Sequence, residues 1–468
     1  MERSVGKEAE SSNSRDWDVL FCLFAKAIAD ENDTRKIQAL IKLARMAKHA
    51  PVSLLVRTVP MLLELLGSPH RNSSATVQEA SAYCLKCIAS QGEMAHLIGQ
   101  AGAIPILLRL LPNSDGEFQR ALLKCLRSVI TFWIPNRVIL ASHGGLETVV
   151  AMLETSSGEF KLILLEILSS LALVREVRKF LWNSRRVNLL VEAASHGSMS
   201  SRTRAAQAIG LLGLIKRACR AFVDVGVVPV LMHLLTEGNA TAKAVAGNSL
   251  GVISSHVDFI RPIAQAGAIP LYAELLCGSD PAGKEVAEDV ICVLAVNEEN
   301  AVEIVEHLVR NLRGGDARAK AAAAGVIWDL SSYKYSSPAV RNNSCVIPTL
   351  VELLVDENFD VREKAAGAVA QLSQNKADRA ALANSGAIQR LISMLEAEAD
   401  VLRDDAAEAL VNFSLDPSLG EQISCILENP IFQNMQHRVM QMRDADRHME
   451  PSLQHPLTLN PALSRILH

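Results

Sequence analysis

Three short patterns in this 468-residue chain have the spacing of reactive or metal-binding groups. Gly247-Asn-Ser-Leu-Gly251 matches Gly-x-Ser-x-Gly, in which a serine stands on a strained strand-to-helix turn with its hydroxyl exposed as a nucleophile. His143-Gly-Gly145 has the form of the glycine-rich oxyanion loop that accompanies such a serine. Cys84-Leu-Lys-Cys87 has the spacing of half a zinc site. Each depends on the backbone around it. The nucleophile turn needs a strand before it, and the residues preceding Ser249 read instead as an Ala-rich helix. Structural zinc takes four ligands and no second cysteine pair offers the other two, so packing cysteines within a helix are the better reading. No Walker loop, His-Glu-x-x-His or EF-hand pattern is present. Hydrolase chemistry is therefore not expected, and neither is a metal or cofactor.

What positions these patterns is a phrase that the chain writes repeatedly. In Gln265-Ala-Gly-Ala-Ile-Pro-Leu-Tyr-Ala-Glu-Leu-Leu276, Gly267 suits a tight turn and Pro270 suits a first helical turn. Leu271, Leu275 and Leu276 then fall at helical spacing on one face. Close copies run over 101–111, 225–235, 344–354 and 385–395, with weaker ones at 144–153 and 185–194. Aligned at the branched residue before the proline position, they give Val59, Ile104, Leu146, Val187, Val228, Ile269, Val305, Ile347 and Ile388. The successive gaps are 45, 42, 41, 41, 41, 36, 42 and 41. That metre predicts a solenoid of helical repeats rather than one globular core. His143-Gly-Gly145 falls at the inter-repeat turn, so the register accounts for it.

A second signature follows each copy by 20 to 30 residues, as in Asp360 to Ser373 and Leu402 to Ser414. Its small residues, such as Ala365, Ala366, Ala406 and Ala407, let neighbouring helices approach closely. A short helix, the helix after Ile-Pro and this long Ala-rich helix make a three-helix unit, and Ser249 lies in the third helix of the fifth. The Gly-Ala-Ile-Pro-x-Leu-x-x-Leu-Leu phrase, the Ala-Ala-x-Ala-Leu-x-Asn-Leu-Ser third helix and the period together resemble armadillo repeats over about residues 30–428. The wording is most similar to plant armadillo proteins, including relatives that carry a U-box ubiquitin-ligase domain before the repeats. With repeats beginning by about residue 34, this chain looks like a repeat-only relative. The resemblance implies an all-α, right-handed superhelical solenoid of about nine three-helix repeats with terminal caps. The seventh unit, Glu299 to Leu308, departs from the pattern: it lacks the glycine turn, and its second helix should follow almost directly from the repeat before.

In armadillo folds the third helices line a concave groove that holds extended peptides, and the residues that vary between copies face it. One column reads Gln38, Tyr83, Lys124, Glu166, Gln207, Asn248, Asp289, Gly325, Gly367 and Glu408, almost wholly polar or small. Four residues later, one turn along the same face, the column reads Lys42, Cys87, Ser128, Ser170, Leu211, Val252, Val293, Asp329, Gln371 and Asn412. The family's peptide-clamping Asn survives in it only as Asn412. Trp328 sits beside Asp329, and no Trp occupies the earlier column, so an importin-α-type nuclear-import receptor is a poor match. By charge, Lys42, Lys86, Lys124 and Arg127 make one end basic. Leu211, Val252 and Val293 give an apolar middle, while Asp289, Asp329, Glu363, Asp404 and Glu408 make the other end acidic. The expectation is a partner segment whose charges run the opposite way, with ordinary solvated helix faces as the alternative.

Residues 1–15 are polar and read as disordered, 16–56 as an N-terminal helical cap, in which Asp33-Thr34 suits the N-cap of a helix over Arg35 to Lys48, and 57–428 as the array. In 429–468, a Met-rich helix over Ile431–Met442 reads as a cap, with partner binding as the alternative, and a Pro-containing flexible tail follows. The chain is 49% hydrophobic but only 4% aromatic, and its net charge of -4 is too small to suggest nucleic acid or an anionic membrane. No apolar window is long enough to span a bilayer, no signal-peptide core opens the chain, and nine cysteines lie unpaired in helical stretches. The expected class is a non-catalytic scaffold or adaptor that binds other proteins in the cytoplasm or nucleus, with no small-molecule substrate. It would work in ubiquitin-related signalling or, alternatively, as a cargo or cytoskeleton-linked transport adaptor.

Overall fold

The computed structural model describes residues 5–67, 74–183, 186–314, 316–397 and 399–448; the tail expected over 450–468 lies outside the described residues. Regular structure among them is helical throughout, with no strand. The chain divides into two units, Met1–Leu212 and Gly213–His468.

The first unit opens with α1 (Val5–Ala29), α2 (Asp33–Met46), α3 (Val52–Gly67) and α4 (Ala75–Ala89). Three triplets follow: α5 (Gly92–Gln100), α6 (Ala103–Leu110) and α7 (Gly116–Phe132); α8 (Ile134–Ser142), α9 (Gly145–Thr155) and α10 (Gly158–Leu171); α11 (Arg175–Asn183), α12 (Val187–Ser195) and α13 (Met199–Gly213). The second unit continues with α14 (Lys216–Asp224), α15 (Val227–Glu237) and α16 (Ala240–Ser254), then α17 (Val257–Gln265), α18 (Ala268–Leu276) and α19 (Pro281–Leu294). A two-helix repeat, α20 (Glu298–Gly314) and α21 (Ala317–Ser332), comes next. It is followed by α22 (Ser337–Asn342), α23 (Val346–Leu353), α24 (Phe359–Ser373), α25 (Lys376–Asn384), α26 (Ala387–Met394) and α27 (Asp400–Ser414). A single turn, α28 (Gly420–Ile423), leads into α29 (Pro430–His448).

The glycine of the repeated phrase is the joint. Gly102, Gly144, Gly226, Gly267 and Gly386 all take left-handed φ, between 76° and 90°, a conformation that side chains with a Cβ adopt at a cost. The bend reaches 84° between α5 and the helix that follows it. Arginine side chains close several helix C-termini. Arg137 donates to Ile130 O and Thr131 O, Arg178 to Ala172 O and Leu173 O, and Arg379 to Ser373 O and Gln374 O. In each case an arginine of the short first helix satisfies orphan carbonyls at the end of the preceding third helix, where a cation is also favoured by the helix dipole.

Three details differ from the sequence expectation, and a fourth agrees with it. Helix α1 begins at Val5, inside the stretch 1–15 taken as disordered, and its Glu, Lys and Ala content is compatible with helix. The N-cap of α2 is Asn32, whose side chain accepts from Thr34 N and Arg35 N, rather than Asp33-Thr34. Helix α3 runs through Pro60 without a break and crosses residues 56 and 57, where the cap was expected to end. The seventh unit merges its first two helices into α20, as the missing glycine turn foretells.

Candidate protein-interaction faces

Third helices pack on one another in sequence within each unit: α4 against α2 and α7 in the first, and α16, α19, α21, α24 and α27 successively in the second. Small residues set the spacing. A Cβ on Gly251 would lie 2.3 Å from Val290 Cγ2, and one on Gly367 would lie 2.5 Å from the Trp328 ring. Gly251 and Gly247 therefore belong to helix packing. Ser249 sits inside α16 and donates to Val245 O at 2.8 Å, and the buried Tyr272 hydroxyl donates to Gly247 O at 2.6 Å. The nucleophile-like spacing thus falls on continuous helix. Cys84 is buried, and desolvation pushes its thiol up, away from the thiolate that a metal would need.

In the first unit α2, α4 and α7 line a shallow recess of about 540 Å³, edged by Ile41, Arg45, Tyr83, Lys86, Arg120 and Lys124 and also by Glu79 and Glu117. Tyr83 is 48% exposed there, and the Lys86 ammonium sits 4.9 Å from its ring. Arg120 bonds Glu117 at 2.8 Å and Glu159 at 3.1 Å, and Lys124 bonds Glu159 at 2.8 Å. Arg127 bonds Glu166 at 2.8 Å. The Lys124 hydrogen bond is the largest influence holding Glu159 below its usual range. Burial acts to raise Glu166, but hydrogen bonds from Ser198 and Arg127 outweigh it and the carboxyl is lowered. Arg45 and Lys86 form no ion pair among the described residues, so they are the cations this face offers.

The second unit carries the opposite sign. Glu288 and Asp289 of α19, Asp329 of α21, Glu363 and Lys364 of α24, and Asp405 and Glu408 of α27 act on one another electrostatically across adjacent helices. Desolvation, followed by the charges of Glu408, Glu363 and Asp404, pushes Asp405 up to about 7, and its Oδ2 has no hydrogen-bond donor. Asp329 is exposed over much of its surface, yet desolvation raises its carboxyl, with Asp289 adding and Lys364 opposing. Lys364, 5.7 Å from the Trp328 ring and 3.3 Å from Glu363, and Lys284, 3.8 Å from Glu288, are cations set among these acids.

The predicted columns are therefore only partly surface. Tyr83 and Asp329 are exposed, while Lys86, Lys124, Arg127, Gln207, Asp289, Trp328, Gln371 and Glu408 are half-buried. Glu166 is buried under Arg127, and Asn248 is 2% exposed, so the polar column is not a continuous solvent-facing ladder. Val252 is likewise buried and supplies no apolar floor. Asn412, expected to clamp a peptide, is 1% exposed and donates to Ser373 Oγ at 2.9 Å, tying α27 to α24 instead. Gln38 and Lys42 are exposed but line a different cleft, beside α1. The sequence reading missed Ile41, Arg45 and Arg120. Arg120 lies one turn before Lys124, so the i−4 spacing that linked the columns would have found it. The burial of Asp405 has no such signal.

A family model described as the HEAT repeat matches residues 346–375, the stretch of α23 and α24. A crystal structure of an engineered protein superposes with a TM-score of 0.64 at 24% identity, covering 84% of this chain and 98% of its own. Two further engineered proteins, at 24% identity, cover 49% of this chain with TM-scores of 0.38. No curated protein matches the sequence significantly. The first structural match and the HEAT repeat together support an all-α solenoid of helical repeats, a class suited to protein interaction.

Proposed function

We propose that the protein is a non-catalytic interaction scaffold that binds segments of other proteins on its third-helix faces. The observation that carries this reading is the pair of charged faces. One presents Tyr83, Arg45 and Lys86 around an open recess, and the other gathers Asp329, Glu363, Asp405 and Glu408 on adjacent helices. Catalytic folds bring reactive groups together in a closed site, whereas these faces are extended and vary from repeat to repeat. The resemblance of the repeated phrase to plant armadillo proteins supports a role in ubiquitin-related signalling, in the cytoplasm or nucleus. A cargo or cytoskeletal adaptor is the alternative on the same surface.

Affinity purification of the full chain with mass spectrometry, run alongside Tyr83→Ala/Lys86→Glu and Asp329→Lys/Glu363→Lys variants, tests the reading. Each pair should lose a distinct set of partners by tenfold or more while the melting temperature holds. If both variants retain every partner, the faces are ordinary solvated helices and the reading fails. Autoubiquitination by the chain alone would overturn its non-catalytic part.

A further inference from the structure

Helix α27 closes the last full repeat, and α29 lies across it. Phe432, Met435 and Val439 of α29 are all buried. These side chains fall at i, i+3 and i+7, an amphipathic helix covering the open side of a stack. The other terminus of the array is built differently. Helix α1 is pinned to α3 by Asp18–Arg57 at 2.6 Å and by the Arg57 guanidinium 3.9 Å from the Phe21 ring. The short connection from α1 to α2 is tied to α2 by Asp30–Arg35 at 2.7 Å. Between α1 and α2 a cleft of about 300 Å³ stays open, walled by Leu20, Leu23 and Phe24 on one side and Leu43 and Met46 on the other.

Two features say what this cleft accepts. Its walls are apolar and helical, and its floor, Leu54 and Thr58 of α3, is part of the buried repeat packing. The cleft therefore continues the stacking surface that helices cover elsewhere in the chain. Val19 at 59% and Leu23 at 57% exposure leave an apolar edge along α1 that solvent does not favour. On the α2 rim, Lys42 is exposed and forms no ion pair among the described residues, while Arg35 is already held by Asp30.

We propose that this cleft is a docking site for an amphipathic helix of another protein. That helix lays an apolar i, i+3 or i+4, i+7 stripe against Leu20, Leu23 and Met46 and sets an acidic residue on Lys42. The site is separate from the third-helix faces of the proposed function and does not rest on them. Pairing with Lys42 fixes which way round the helix lies more than how tightly it binds.

The test uses the full chain and two synthetic labelled helices of about 16 residues, long enough to be helical when bound. Both carry the same Leu stripe, one with Glu flanks and the other with Lys flanks, and binding is read by fluorescence anisotropy. The Glu-flanked helix should bind at least tenfold more tightly. Leu23→Glu should weaken it at least tenfold, and Lys42→Glu should reverse the order of the two peptides. Both residues are exposed, so circular dichroism and melting temperature should be unchanged. Tyr83→Ala and Lys86→Glu should leave this binding intact even if the proposed function fails. The proposal is overturned if neither peptide binds, or if Lys42→Glu leaves their order unchanged. It is equally overturned if sedimentation shows a dimer that Leu23→Glu dissociates, or if removing residues 449–468 is needed before a peptide can enter.

Discussion

At Gly251 a hydrogen atom is all that the contact with Val290 allows, because an added Cβ would lie 2.3 Å from Val290 Cγ2. Gly251→Ala should cost about 1–2 kcal/mol, the overpacking penalty less the gain in helix propensity. Gly325, also inside a third helix, would meet only the flexible Lys364 side chain at 3.7 Å. Gly325→Ala should therefore stabilise by roughly 0.5–1 kcal/mol. The urea midpoints of the two variants moving in the same direction would refute this account of helix spacing. The two glycines look alike in the sequence, and the repeat register alone does not distinguish the packed one from the open one. Asp405 shows the same limit for charge. Its partners Glu408, Glu363 and Asp404 are readable as an acidic end, but the desolvation that lifts it from 3.8 to about 7 comes from how the neighbouring helices sit. A carboxyl raised on folding holds its proton longer in the folded state, so stability falls as pH rises from about 4 to about 7 and is flat outside that window. Asp405→Asn should accordingly gain about 1–3 kcal/mol at pH 7.5 and nothing near pH 4. Denaturant titrations at the two pH values check it, and an equal gain at both would assign the effect to packing.

At the scale of helices, the period of about 41 residues made the triplets legible, because the glycine joint and the apolar spacing recur together. The merged α20 was legible for the converse reason, since the joint is missing there. Helix ends were less so. Asn32 rather than Asp33 caps α2, and α3 continues through Pro60, since tertiary packing outweighs local preference at such points. Which helix faces met solvent was harder still. The column through Asn412 looked like a peptide clamp, yet its amide is spent between α27 and α24. Helix α29 is the element whose role can be isolated. Phe432 is fully buried against its neighbours, so Phe432→Ala should cost about 3–5 kcal/mol. In a stack of repeats that loss is felt first by the nearest unit. Amide exchange should accelerate in α27 and α26 well before it changes in α16 or α4, and uniform acceleration along the chain would contradict this local coupling.

For the whole molecule, a net charge of -4 conceals faces of opposite sign. The expected basic end survives only in part, because Lys124 and Arg127 are held by Glu159 and Glu166, leaving Arg45 and Lys86 as the cations around Tyr83. At the acidic end burial is the largest cause raising the carboxyls of Glu288, Asp329 and Asp405, with neighbouring acids adding to it and Lys284 and Lys364 opposing. Spacing told where charges recur, and only the packing of helices told which of them are already paired. Short charged peptides provide a direct probe of the result. Oligolysine should shift methyl and amide resonances of α19, α21, α24 and α27, and oligoglutamate those of α2, α4 and α7. Both effects should fade as salt rises from about 20 mM to about 500 mM, where screening shortens to a few ångströms. Oligolysine binding should also weaken below pH 7, because Asp405 takes up its proton there and the face loses charge. Oligoglutamate should be indifferent over the same range. Shifts spread evenly over both units, or an oligolysine response that ignores pH, would show that the faces do not act as separate charged surfaces.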